Sequence, residues 1–168
     1  MVRNWIFPLL LSAATPAPKP PPELDQLKPF LMSANCSGDE AETPFAPAHK
    51  TAGAMAGHKD ASGFWVLIHY QERKPSAIVS DQRWGYDPGA KKFIALISDS
   101  MGGYGMASSP GWEGDDFVWT GDAWMNGQKA PYRQTFTRAK DGSISEQWEM
   151  QIDGQWKKLT SGTCKKAK

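Results

Sequence analysis

From residue 51 onward the chain alternates apolar and polar positions in short runs, and turn-forming residues separate the runs. Phe64, Val66, Ile68 and Tyr70 share one phase of such a run, with Trp65, Leu67, His69 and Gln71 in the other. Phe93, Ala95 and Ile97 alternate with Ile94 and Leu96, so that stretch is apolar on both faces. Ile144, Glu146, Trp148, Met150 and Ile152 alternate with Ser145, Gln147, Glu149 and Gln151. A period of two is the signature of a β-strand, whose successive side chains point to opposite faces. Strands are predicted over residues 35–42, 51–58, 64–72, 78–86, 92–98, 104–108, 117–123, 128–138, 144–152 and 155–164.

The turns between them carry recognisable chemistry. Asp87-Pro88-Gly89 and Lys140-Asp141-Gly142-Ser143 are turn sequences, and Asn126-Gly127 and Asp153-Gly154 suit two-residue hairpins that need positive φ. Ahead of the strands, Leu24, Leu27, Phe30 and Leu31 recur every three to four residues. This spacing predicts a short helix over residues 24–32, held to one or two turns by Pro29 and suited to covering an open barrel end. No helical crossover separates the strands, so they form an antiparallel meander. A sheet with so many sequential neighbours loses its exposed edges most simply by closing on itself. The expected fold is all-β, a lipocalin-like (calycin-type) barrel of about eight to ten strands with a short N-terminal helix. A two-sheet sandwich is the alternative, but its long inter-sheet loops are not evident in the second half.

Composition narrows the picture further. At 168 residues the chain fits one domain with a real core. Its 16 glycines, 13 prolines and 8 tryptophans suit strands, tight turns and a broad aromatic interior. A net charge of +1 gives no basic excess for a phosphate backbone, and the run Glu113, Asp115, Asp116 opposes one, so no nucleic-acid partner is expected. Residues 1–14 read as a signal peptide, with Arg3, an apolar stretch from Trp5 to Leu11, and Ser12-Ala13-Ala14 before the cut. Residues 15–23 hold five prolines and read as an extended linker. The single domain then spans 24–164, and Lys165, Lys166 and Lys168 belong to a basic tail over 165–168. No transmembrane segment is expected, and the leader implies a periplasmic or secreted protein.

Cys36 and Cys164 lie in the first and last strands. Closure brings those strands together, so an exported chain would join the two cysteines in a disulfide; two unpaired thiols are the alternative. They are not spaced as metal ligands, and His49, His58 and His69 form no zinc motif, so neither a metal nor another cofactor is expected.

From residue 83 onward a set of short motifs stands out. These are Trp84-Gly85-Tyr86-Asp87, the Phe93–Ile97 strand leading into Asp99-Ser100-Met101-Gly102, Gly114, Trp119-Thr120-Gly121, Arg133–Phe136, Asp141-Gly142 and Glu149-Met150. Together they resemble the bacterial domain-of-unknown-function family 1579 over residues 63–164, about three fifths of the chain. The resemblance implies a lipocalin-like barrel. It carries over no catalytic residues, and the N-terminal part with Cys36 departs from the family's pattern. Barrels of this appearance that hold haem do so through a late-strand histidine, and from Tyr70 onward this chain has none.

The candidate ligand-binding residues are His69, Tyr70, Trp84, Asp99, Ser100, Met101, Trp119, Tyr132, Gln134 and Trp148. Asp99-Ser100-Met101-Gly102 reads either as a capped turn or as polar groups at a barrel mouth. On the strand over 64–72, one phase turns His69 inward and the other turns Tyr70 inward; alternation alone leaves both open. The tryptophans either pack a wide barrel or line a pocket. A histidine near Asp99 and Ser100 names the members of a triad, yet no nucleophile-elbow motif accompanies them. Binding of a small, mainly apolar molecule therefore stands ahead of a structural or protein-interaction module of the cell envelope, and an enzyme comes third. The oligomeric state is not written in the sequence.

Overall fold

A computed structural model describes residues 18–43 and 47–168. The proposed leader and the start of the proline-rich linker lie outside the described residues. A 3-10 helix, Pro22–Phe30, comes first. Eleven strands follow: β1 (Ser33–Glu40), β2 (His49–Lys59), β3 (Val66–Lys74), β4 (Val79–Asp87), β5 (Lys92–Asp99), β6 (Tyr104–Ser109), β7 (Trp112–Glu113), β8 (Asp116–Met125), β9 (Gln128–Arg138), β10 (Ile144–Ile152) and β11 (Gln155–Lys166). Every pairing is antiparallel, in the spatial order β6-β5-β4-β3-β2-β1-β11-β10-β9-β8. The pairing of β6 with β8 closes the ring. The barrel therefore has ten strands, and the two-residue β7 is an extra strand folded against β8.

The turn chemistry read from the sequence operates as expected. Asn126-Gly127 has φ of 50° and 75°, and Asp153-Gly154 has 53° and 74°, the paired positive values that let a two-residue loop follow the strand twist. The helix begins two residues before the predicted one, because proline's fixed φ suits a first helical turn, and so it takes in the last two residues assigned to the linker. It ends at Phe30. Lys165 and Lys166 are not a free tail: β11 runs through them, and their exposed side chains sit opposite Asn35 and Ala34.

The helix plugs one end of the barrel. Leu24, Leu27 and Phe30 are fully or almost fully buried there. Phe30 meets Trp84 edge-on at 4.8 Å between ring centres and Phe136 at 5.1 Å, and it stacks on Trp112 at 5.8 Å. Trp119, Phe93 and Phe117 complete this aromatic floor. The Trp112 indole N–H donates to the Gln26 carbonyl at 2.8 Å, which ties β7 to the helix. On the other side the Gly57 amide donates to the Met32 carbonyl at 2.9 Å. The backbone there is so close that a Cβ on Gly57 would lie 1.9 Å from the Phe30 carbonyl oxygen.

Cys36 and Cys164 stand directly opposite each other in the β1–β11 register and are joined by a disulfide that spans 128 residues of sequence. It is a covalent seam between the first and last strands.

Two stability outcomes follow from this framework. Gly57→Ala should lower unfolding free energy by about 1–3 kcal/mol in urea titrations, because the added methyl must displace the plug's backbone. Replacing both cysteines with serine should cost at most about 5 kcal/mol, the chain-entropy value for so long a loop, read as a lower urea midpoint for the double variant.

Candidate ligand-binding cavity

Closure gives each strand an inner and an outer face, and the register fixes which residues take each. On β3 the inward phase is Val66, Ile68, Tyr70 and Glu72, opposite Met55 and Gly53 of β2 and Trp84, Gln82 and Ser80 of β4. On β9 it is Tyr132, Gln134 and Phe136, opposite Gly121, Trp119 and Phe117 of β8 and Met150, Trp148 and Glu146 of β10. Above the aromatic floor these faces enclose a cavity of about 290 Å³ that opens at the end opposite the plug. Met55, Ile68, Ile97, Ile144, Phe136 and Trp148 make up much of its apolar wall, and the Cys36–Cys164 bridge also lines it.

The candidate residues separate into three groups. Tyr70, Asp99, Met101, Tyr132, Gln134 and Trp148 line the cavity. Trp84 and Trp119 face inward but lie lower, fully buried in the floor, 5.2 Å apart between ring centres. They support the cavity from below instead of lining it. His69 is outside the barrel: its Nδ1 is 2.7 Å from the Asp81 carboxylate on the solvent face. The phase that turns Tyr70 inward is the one adopted. Ser100 is exposed on the turn after β5, its hydroxyl accepting the Val79 amide at 3.0 Å.

The Asp99–Gly102 segment is a capped turn at the mouth. One Asp99 carboxylate oxygen accepts the amides of Met101 at 2.8 Å and Gly103 at 3.0 Å. On the outer face, His69, Asp81 and Ser98 occupy successive strands in one row. The carboxylate stands between the other two, whereas nucleophilic relay needs the imidazole in the middle. Among the described residues, no group of three or more histidine, cysteine, aspartate or glutamate side chains gathers as a metal site would require.

The cavity also contains polar groups that were not among the candidates. Glu40, Glu72 and Glu146 line it together with Asp99, along with Thr51, Gln82 and Thr160. No lysine, arginine or histidine lines it among the described residues. The carboxylates near the mouth are occupied. Glu40 lies 3.0 Å from His49 Nε2, and Glu72 accepts the Ser76 amide at 3.0 Å. The His49 ring is held above its usual pKa by its contact with the Pro47 carbonyl and by Glu40. Glu146 differs from these. Deep in the wall, it accepts one hydrogen bond, from Gln134 Nε2 at 2.9 Å, and burial pushes its carboxyl up from the ordinary range. The residue is half-buried and lines the cavity. Three buried polar atoms on β8 and β9 have no hydrogen-bond partner in the structure: Trp119 Nε1, Tyr132 OH and Gln134 Oε1. Such atoms are uncommon in folded proteins and mark places where a further partner is accommodated.

Burial, together with Glu72, Glu146 and Glu40, pushes the Tyr70 hydroxyl up to about 12, although a hydrogen bond with Thr51 works the other way. Burial alone pushes Tyr132 higher still. Stability gained by keeping Tyr70 neutral is complete below its unfolded value of 10.0 and is lost as pH rises through about 12. The urea midpoint should therefore fall across that window, and Tyr70→Phe should lessen the fall; an unchanged slope in the variant would contradict the assignment.

No family model matches the chain, and no curated protein matches it. Among solved structures, the crystal structure of Rv2717c from M. tuberculosis is similar, with a TM-score of 0.70 at 12% sequence identity. The likeness covers 89% of this chain and 100% of that one, and at such identity it shows a shared fold alone.

Proposed function

We propose that this chain is an exported, lipocalin-like protein of the kind found in domain-of-unknown-function family 1579, and that it holds a small, mainly apolar molecule in its barrel by shape, without a covalent step. The observation that supports this most strongly is the cavity of about 290 Å³, floored by aromatic rings at one end and open at the other. Small-ligand pockets have this character: mostly apolar walls, a few inward polar groups and a volume of a few hundred Å³. The volume is at the small end of that range, so the guest is compact or a single short chain. The disulfide and the leader motif support residence in the periplasm or outside the cell. No helix among the described residues is long and apolar enough to cross a membrane.

A second reading, a protein-interaction module, draws on the outer wall. Leu96 and Met106 are directly opposed on β5 and β6, 41% and 58% exposed, with Tyr104 stacked on Trp124 beside them. An apolar patch of this sort on a barrel's outside is a common mark of partner contact.

Native mass spectrometry of protein purified from its own host tests the first reading. A bound small molecule, released when the barrel is unfolded, is the expected result. Repeated preparations with no added mass, together with no uptake of an apolar dye into the barrel, would count against it.

A further inference from the structure

The interior carries one sign of charge. Four carboxylates line the cavity, and among the described residues no basic side chain does. An anionic head group entering it would meet like charge in surroundings of reduced dielectric, with no counter-ion to receive it. The carboxylates near the mouth already have histidine or backbone partners. Glu146 has only a neutral amide. The Gln134 side chain that donates to it from β9 is 7% exposed, lines the cavity and keeps a partnerless oxygen, Oε1.

We infer that the barrel's guest is a hydrophobic amine, bound as its ammonium ion with Glu146 as counter-ion and with Gln134 Oε1 as a further acceptor. This rests on the binding reading above and names its ligand class. An ammonium group offers donors and no acceptor, which matches an anionic and a neutral acceptor carried by one hydrogen-bonded pair, Glu146 and Gln134. A carboxylate offers acceptors only, and would leave Gln134 Oε1 unmet while repelling Glu146. The rest of the wall suits the remainder of such a molecule. Trp148 stands edge-on to Tyr132 at 6.1 Å between ring centres, and aromatic faces also attract cations. Glu146 would bind as the carboxylate, so the guest supplies the positive charge that the buried carboxyl lacks in the protein alone.

Isothermal titration calorimetry of the full chain near neutral pH, with decylamine, decanol and decanoate as probes of equal chain length, tests this. The expected order is decylamine tightest, by about tenfold over decanol, the scale of one charge-assisted hydrogen bond, with decanoate weakest. Glu146→Gln should bring decylamine to the affinity of decanol, with circular dichroism confirming the fold. Equal binding of all three by the native chain would overturn the amine inference and leave the cavity reading standing. Preferential binding of decanoate would do the same, and an amine preference that survives in a folded Glu146→Gln variant would overturn the assignment of Glu146 as counter-ion. Binding of none of the three would remove both.

Discussion

Closing the sheet is the constraint on which everything else in this molecule depends. Pairing β6 with β8 and β1 with β11 leaves no free edge in the ring of ten. It also makes one face of every strand an interior face. Once the inside exists, each residue's parity along its strand decides whether it faces cavity or solvent. The same closure sets Cys36 against Cys164, so the covalent seam follows from the topology. The helix then has one place to bury Leu24, Leu27 and Phe30, the narrow end where aromatic rings from several strands converge.

Much of this arrangement could be read directly from residues. Alternation gave the strands that were expected, and Asn126-Gly127 and Asp153-Gly154 marked hairpins that take the predicted positive φ. β7 was missed because a two-residue strand has no period to detect. Where both faces of a strand are apolar, as around His69 and Tyr70, the phase is set by neighbours that alternation does not reveal. Height along the barrel was equally hidden. Trp84, Trp119 and Tyr132 all face inward, but the first two lie in the floor and only the third reaches the cavity. A strand's sequence reports which side a residue faces before it reports how deep the residue lies.

The acidic lining had a visible signal that apolar candidates overshadowed. Glu146 interrupts the inward series Ile144, Trp148, Met150 and Ile152, and Glu72 continues the phase of Ile68 and Tyr70. A carboxylate in the apolar phase of a strand either ends the buried stretch or belongs to a polar site within it. Glu72 does the first, near the mouth, where it caps the Ser76 amide. Glu146 does the second, third along β10, between the apolar Ile144 and Trp148 of the same phase. The polar character of this interior therefore comes from isolated residues set into apolar faces.

The seam also fixes the direction in which the barrel faces. β1 begins and β11 ends at the plugged end, where the Ala167 amide donates to the Ser33 carbonyl at 2.8 Å. The chain enters at that same end, with Pro20 packed near Gly63 in the turn between β2 and β3. Any extension carried by either terminus is thus attached behind the aromatic floor, on the far side from the mouth. A barrel held by such a stalk keeps its opening pointed away from whatever anchors it, so tethering and access do not compete for the same surface.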